Sequence, residues 1–95
     1  MTVNWLPEAV KKLEKLSKRD PLEYKRIKKG FQRFAAEGGG DLVAIKPPIF
    51  RLRIGSWRFW LHRTQAGYDV VDFYWRDQAY RLEVIERMLR RARLL

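Results

Sequence analysis

Residues 50–80 read FRLRIGSWRFWLHRTQAGYDVVDFYWRDQAY, and this stretch decides the fold. Apolar and polar residues alternate along most of it with the period of two that is typical of a strand with one buried face. Gly55-Ser56 and Gln65-Ala66-Gly67 interrupt the alternation with residues that favour turns. The stretch therefore predicts three consecutive antiparallel strands.

The same alternation predicts which side chains share a face of the sheet. One face is expected to enter the core and comprises Phe50, Leu52, Ile54, Trp57, Phe59, Leu61, Val71, Phe73 and Trp75. The opposite face is expected to stay open and comprises Arg51, Arg53, Arg58, Trp60, His62, Val70, Asp72, Tyr74 and Arg76. Four arginines from three strands would form a fixed positive field there, because guanidinium groups stay charged and bind phosphate oxygens through paired donors.

Upstream of this stretch, the pattern predicts a strand followed by a helical hairpin. The β-forming residues Thr2–Trp5 precede a proline and a helix over residues 7–18. A second helix is expected from residue 21 to about residue 37, with Asp20 accepting hydrogen bonds from its first amides. The lysines of the first helix are expected to face outward, and they are Lys11, Lys12, Lys15 and Lys18.

The rest of the chain predicts an edge strand and a final helix. Residues 41–45 begin the second strand or lie along its edge, before Lys46-Pro47-Pro48 interrupts the ladder. Residues 77–95 predict a basic amphipathic helix whose apolar stripe comprises Val84 or Ile85, together with Met88, Leu89, Ala92 and Leu95. The order β-α-α-β-β-β-α predicts an α+β fold: a mostly antiparallel sheet of about four strands with an N-terminal helical hairpin and a C-terminal helix.

Composition narrows the classes of function. The length of 95 residues suits a single domain over residues 1–95, and 46% hydrophobic residues suffice for a core. A net charge of +10 predicts a polyanionic partner, which is RNA, DNA, a ribosome or an acidic protein. With no cysteine and one histidine, we expect neither a metal site nor a cofactor. We also expect a cytoplasmic protein without membrane contact, because the sequence has no signal-peptide pattern and no apolar run of roughly 20 residues.

The central motifs resemble those of the RelE/ParE superfamily of bacterial and archaeal toxins. Residues 50–58 fit the pattern aromatic-Arg-Leu-Arg-apolar-Gly-x-aromatic-Arg, and residues 76–80 fit Arg-x-x-x-Tyr after the last strand. Val3-Asn4-Trp5, followed by a lysine-rich helix and a second helix, is similar to the opening of those proteins. The resemblance covers most of the chain and implies a RelE-like fold.

The resemblance also implies site residues. In RelE-like toxins, ribosome-dependent mRNA cleavage is attributed to basic residues on the central strands, an arginine on the next strand and a tyrosine near the carboxyl end. The positions that carry over as catalytic are Arg53, Arg58, Arg76 and Tyr80, and Arg51 completes the strand pair with Arg53. The residues expected to bind RNA are Arg51, Lys46, Trp60, His62 and Tyr74, of which Trp60 and Tyr74 offer rings for base stacking.

The acid–base equipment is incomplete in this sequence. Metal-free RNA cleavage needs a group that takes the 2′-hydroxyl proton, cations that stabilise the phosphoryl transition state and an acid for the departing 5′ oxygen. The arginines meet only the second need, since arginine, unlike lysine, does not release its proton. The candidate proton carriers are His62, Asp72, Tyr80 and Lys46. Asp72 is also a candidate for orienting the arginines, and Tyr80 lies one helical turn after Arg76.

Three functions follow as hypotheses. The first is a toxin of a type II toxin-antitoxin pair: an mRNA interferase that cleaves mRNA on the ribosome, inhibits translation and is restrained by a cognate antitoxin protein. The second is a ParE-like toxin that inhibits DNA gyrase by protein contact, because the two groups share the fold. The third is a catalytically inactive nucleic-acid-binding relative.

Overall fold

A five-stranded mixed sheet carries the fold in the computed structural model, which describes residues 1–91. The strands are β1 (Thr2–Trp5), β2 (Asp41–Lys46), β3 (Ile49–Ile54), β4 (Trp57–Arg63) and β5 (Gly67–Trp75). The helices are α1 (Pro7–Arg19), α2 (Pro21–Glu37), α3 (Arg76–Ala79) and α4 (Leu82–Arg91). This arrangement confirms the predicted α+β class.

The sheet has the order β1-β5-β4-β3-β2, in which β1 runs parallel to β5 and every other neighbouring pair is antiparallel. The prediction of about four strands was one too low. The additional strand is β2, whose residues pair with β3 along the outer edge. The sequence did not decide whether this segment forms a strand of its own, because its short alternation of apolar and polar residues ends at two prolines.

The helical hairpin forms as predicted, because both of its helix starts are encoded locally. Asp20 ends α1, and its side chain accepts a hydrogen bond from the backbone N–H of Glu23 at 3.3 Å, which caps α2. Gly38 ends α2 in the left-handed conformation with φ of 67°. Gly30 allows α2 to lie close to β3, since a Cβ atom there would come within 2.8 Å of the Ile54 side chain.

Both faces of the sheet are covered, which corrects the expectation of one open face. The face under the hairpin buries Leu52, Phe59, Leu61, Val70 and Phe73 against Ala9, Leu16, Ile27, Phe31 and Phe34. The opposite face has its own cluster under α4, formed by Ile49, Trp60, Val71, Val84 and Met88. Trp60 is 1% exposed, so the prediction of an open ring at this position is wrong.

A register shift in β5 reverses part of the predicted alternation. Trp60 pairs with Asp72, whereas the next residue of β4, Leu61, pairs with Val70, so Val71 is the extra residue of a bulge. Val70 therefore joins the core under the hairpin and Val71 joins the cluster under α4, opposite to the prediction. The prediction of a buried Trp75 is also wrong, because this residue at the strand end is 37% exposed.

The C-terminal segment is two helices and not the single helix predicted over residues 77–95. The chain leaves the helix after Ala79 and resumes at Leu82. Ala79 and Val84 are both buried, yet five residues of a continuous helix would separate them by about 140° around the axis. The interruption lets both side chains reach the sheet. The predicted stripe residues Ala92 and Leu95 lie outside the described residues.

Candidate functional site

Three arginines lie together on the α4 face of the sheet, at the end where β3 and β4 meet in a turn. Arg53 and Arg58 are direct cross-strand partners, and Arg51 lies two residues along β3 opposite Trp60. The alternation of both strands directs these side chains to the same face. We call the set of Asp41, Arg51, Arg53, Arg58 and Tyr80 the arginine end.

A carboxylate that the sequence analysis missed bridges two of these arginines. Asp41 begins β2 and is the cross-strand partner of Arg53. One oxygen, Oδ1, lies 2.8 Å from Nη2 of Arg51, and the other, Oδ2, lies 2.8 Å from Nε of Arg53. Only the pairing of β2 with β3 could have predicted this contact. Three cations against one anion leave the arginine end positive.

Tyr80 reaches the arginine end from the connection between α3 and α4. Its hydroxyl oxygen accepts a hydrogen bond from Nη1 of Arg51 at 3.3 Å, and its ring meets Trp60 edge-on with centroids 6.2 Å apart. Because the lone pairs of the phenol oxygen face a guanidinium, the O–H of Tyr80 is directed elsewhere and is available to donate. Tyr80 is 46% exposed, so a ligand can reach it.

Arg58 and Arg76 make weaker contacts than Arg51 and Arg53. Nη1 of Arg58 donates to the carbonyl oxygens of Gly55 at 3.0 Å and Trp57 at 3.1 Å, so the guanidinium folds back on the turn. Nε of Arg76 lies 3.8 Å from a carboxylate oxygen of Asp77, and both side chains are largely exposed. The helical turn that was expected to join Arg76 to Tyr80 ends at Ala79.

A second charged group lies farther along the same face, around the buried carboxylate of Asp72. Asp72 accepts a hydrogen bond from the hydroxyl of Tyr74 at 3.0 Å, and Nζ of Lys12 lies 2.7 Å from its other oxygen. Arg87 donates to the hydroxyl of Tyr74 at 3.2 Å, and a guanidinium nitrogen of Arg91 lies 3.7 Å from Asp72. We call these five residues the Asp72 cluster. Burial, and then the charge of Asp72, raise the pKa of the Tyr74 phenol, which therefore keeps its proton at neutral pH.

The Asp72 cluster corrects two expectations. Asp72 was expected to orient arginines of the strands, but its nearest cation is Lys12 from α1, and the arginine that approaches it comes from α4. Lys12 was expected to face outward. Its ammonium instead lies 3.8 Å from the centre of the Tyr74 ring, a contact that periodicity within one helix does not reveal.

His62 and Lys46 lie away from the arginine end. His62 is four residues after Arg58 on β4, which places it about 13 Å along the strand. There it faces Asp69 across the sheet and lines a cavity of about 460 Å³ together with Met88. Lys46 ends β2 and pairs with Ile49. Of the candidate proton carriers, Tyr80 alone contacts an arginine of the arginine end within residues 1–91.

Two properties of the described residues bear on the chemistry. Residues 1–91 contain no group of three or more His, Cys, Asp or Glu side chains that could hold a metal ion. Over the same residues, no helix is long and apolar enough to cross a membrane.

Comparison of the chain with protein-family models and with curated proteins gave no match.

Proposed function

We propose that this protein is the toxin of a toxin-antitoxin pair and inhibits translation by cleaving mRNA on the ribosome. The observation that carries the proposal is the arginine end, where Arg51, Arg53 and Arg58 share one face with the hydroxyl of Tyr80. The resemblance of residues 50–58 and 76–80 to RelE-like toxins points to these four residues and, in addition, to Arg76.

In the proposed reaction, the 2′ oxygen of a ribose attacks the adjacent phosphorus and the bond from phosphorus to the 5′ oxygen breaks. The products are a 2′,3′-cyclic phosphate and a 5′-hydroxyl. The arginines stabilise the charge that accumulates on the phosphoryl oxygens. Tyr80 donates its proton to the departing 5′ oxygen, because its own oxygen already accepts from Arg51.

Among residues 1–91, no unengaged base lies at the arginine end to accept the 2′-hydroxyl proton, and this favours a ribosome-dependent enzyme. Asp41 is engaged by both Arg51 and Arg53, while His62 lies at the other end of β4. Tyr74 keeps its proton because its pKa is raised. We propose that the ribosome positions the mRNA and supplies or replaces the base, so that free RNA is cleaved slowly.

The same surface explains why we propose a small acidic antitoxin as the protein partner. The chain has a net charge of +10, and Tyr80 of the arginine end lies two residues before the amphipathic α4. An acidic segment lying across the arginine end would neutralise Arg53 and Arg58 and exclude RNA from Tyr80.

The test is purified protein added to ribosomes programmed with a defined mRNA, with primer extension to locate breaks. We expect breaks at discrete in-frame positions that are absent when ribosomes are omitted. Tyr80→Phe should lower the cleavage rate by about 10²–10⁴-fold through loss of the acid, and Arg58→Ala by about 10²–10³-fold. Arg33→Ala removes an exposed arginine of α2 and serves as the control, with a wild-type rate expected. Intact mRNA with the wild-type protein would disprove the nuclease assignment, and unchanged cleavage by folded Tyr80→Phe and Arg58→Ala proteins would disprove the placement of its active site at the arginine end.

A gyrase inhibitor is the second candidate, and the contacts of the arginines favour it. Arg51 and Arg53 bind Asp41, and Arg58 binds backbone carbonyls, as expected of a preformed protein-binding surface. A supercoiling assay with DNA gyrase, run in parallel, separates the candidates. Inhibited gyrase with intact mRNA would assign the ParE-like activity, whereas RNA binding with neither effect would assign the inactive nucleic-acid-binding relative.

A further inference from the structure

A groove of about 760 Å³ opens between α1 and the end of β5, outside the arginine end. The first turn of α2 and Gln78 of α3 also line it. The groove begins at the last residues of β5, just before the residues that lead to Tyr80. We call it the Trp75 groove.

Cations from one helix face line the Trp75 groove. Lys12, Lys15 and Arg19 are spaced by three and four residues, so they project from the same side of α1. Lys12 is committed to Asp72, but within residues 1–91 neither Lys15 nor Arg19 forms an ion pair. Two cations are therefore available to a ligand.

The acidic residues of the groove already have partners. The side chain of Asp20 caps α2, and Glu23 accepts hydrogen bonds from the indole nitrogen of Trp57 at 3.3 Å and from Arg26 at 3.3 Å. These contacts hold the carboxylates in place on the structure of the hairpin. The lining carries three cations, Lys12, Lys15 and Arg19, against these two anions and is therefore positive.

An exposed aromatic ring lies beside these cations. Trp75 is 37% exposed and meets Trp57 in a T-shaped contact, with centroids 5.2 Å apart and planes at 87°. A contact of this kind fixes the ring while covering at most one of its two faces. The amide of Gln78, which lines the same groove, offers both donors and an acceptor.

We propose that the Trp75 groove binds single-stranded RNA, with one base stacked on Trp75 and the neighbouring phosphates bound by Lys15 and Arg19. Flat aromatic faces beside cations are the recurring elements of single-strand binding, and Gln78 adds hydrogen bonds to a base edge. An acidic peptide would use the cations but has no use for a free tryptophan face. This deepens the proposed function and rests on it: the groove holds nucleotides of the strand that is cleaved at the arginine end.

Tyr74 lies between the arginine end and the Trp75 groove. It lines the Trp75 groove and is the cross-strand partner of Arg58. Because neighbouring residues of a strand point to opposite faces, Trp75 lies on the other face of the sheet from Arg58 and Tyr74. A strand of RNA that leaves the arginine end across Arg58 and Tyr74 therefore reaches the groove by passing over the end of β5, which β1 accompanies only as far as Val70.

The first experiment measures binding of a fluorescent RNA of six nucleotides with 2′-O-methyl riboses, which cannot be cleaved by attack of a 2′-hydroxyl. Trp75→Leu keeps an apolar contact with Trp57 but removes the stacking face, and Trp75→Phe keeps a smaller face. We expect the Kd to rise by about 5- to 150-fold in Trp75→Leu and by only a few-fold in Trp75→Phe. Equal affinities for wild type and a folded Trp75→Leu protein would overturn the proposal.

A matched pair of double variants separates the groove from general attraction to a basic protein. Lys15→Gln with Arg19→Gln removes two charges from the groove, and Lys11→Gln with Lys18→Gln removes two exposed charges of the same helix outside it. The first pair should lower the slope of log Kd against log salt by about 1.4, the value for two phosphate contacts, and the second by much less. Equal changes in both pairs would overturn the site.

Two outcomes distinguish the groove from the nuclease. RNA binding that depends on Trp75, together with intact mRNA on ribosomes, would retain the groove and reject the nuclease. Cleavage on ribosomes with wild-type binding in Trp75→Leu would retain the nuclease and reject the groove. A third outcome would reassign the groove to an acidic peptide. In that case hexaglutamate displaces the RNA, the double variant Lys15→Gln with Arg19→Gln no longer binds hexaglutamate, and Trp75→Leu binds it as the wild type does.

Discussion

The α4 face of the sheet carries two charged groups that differ in their access to water. At the arginine end, Asp41 has a side chain that is 40% exposed, and it faces the guanidinium groups of Arg51 and Arg53. In the Asp72 cluster, the carboxylate has a side chain that is 3% exposed, and it contacts Lys12 of α1 and the hydroxyl of Tyr74.

The difference in exposure indicates that the arginine end can bind a ligand and that the Asp72 cluster stabilises the fold. The Asp72 carboxylate has a hydrogen-bond or ionic partner on each oxygen, as a buried charge requires. The arginine end keeps more cations than anions, and water can be displaced from it by a ligand. The composition of a charged cluster on a sheet therefore does not show that it binds a ligand. Its exposure to solvent distinguishes a binding site from a structural cluster.

The largest effect should come from Trp60, which separates the two groups. It pairs with Arg51 on one side and Asp72 on the other, is 1% exposed, and its buried indole nitrogen has no hydrogen-bond partner in residues 1–91. Trp60→Ala therefore removes packing alone and should lower the free energy of unfolding by about 3–5 kcal/mol. Urea unfolding followed by circular dichroism measures this.

Trp75→Ala is the matched control for that prediction. It deletes the same side chain at a partly exposed strand end and should cost about 1–2 kcal/mol. If Trp60→Ala costs no more than this control, α4 does not cover the sheet at Trp60 and the two charged groups are not separated.

The next effect contrasts the two carboxylates with the same isosteric change. Asp72→Asn removes the charge that faces Lys12 and Tyr74 and should lower the free energy of unfolding by about 2–3 kcal/mol, less than a fully buried pair because Lys12 is partly hydrated. Asp41→Asn should cost less, about 1 kcal/mol, since the Asp41 and Arg53 side chains are 40% and 53% exposed, although Arg51 is 12% exposed. Urea midpoints of both variants, measured together, test the contrast, and equal costs would contradict it.

Local patterns predicted much of this fold. The alternation of β3 and β4 correctly directed Arg51, Arg53 and Arg58 to one face, because a strand has a strict period of two. The Asp20-Pro21 pair correctly predicted the end of one helix and the start of the next, because capping involves only neighbouring residues.

The errors lie where distant segments meet. The alternation correctly predicted which face of the sheet Trp60 occupies. The predicted exposure of Trp60 was wrong, because α4 packs on that half of the face. The bulge at Val71 depends on the register between two strands, which neither strand encodes alone. Asp41 joins the arginine end only through the pairing of β2 with β3, so sequence spacing could not predict it.

The smallest expected effect concerns the pH dependence of the Asp72 cluster. The folded-state pKa of Tyr74 is raised above its ordinary value of 10.0, first by burial and then by Asp72, so the native protein holds this proton more tightly than the unfolded chain. The contribution of the Tyr74 phenol to the free energy of unfolding is therefore complete below about pH 10, and it is lost as the pH rises through the pKa of Tyr74 in the folded protein. Tyr74→Phe should cost about 1 kcal/mol at pH 8, a low value for a hydrogen bond to a carboxylate because water reaches the phenol.

Above pH 10, the difference in free energy of unfolding between wild type and Tyr74→Phe should narrow. The wild type loses the stabilisation that its protonated phenol provides, and the variant has no phenol to lose. Urea unfolding at pH 8, 9, 10 and 11 measures the gap, and taking the difference cancels the titration of groups that both proteins share. Tyr80→Phe at the arginine end removes the same hydroxyl from an exposed position and should change stability by less than about 0.5 kcal/mol at pH 8. A Tyr74 gap that stays constant up to pH 11 would show that burial and contact with Asp72 do not hold the phenol proton.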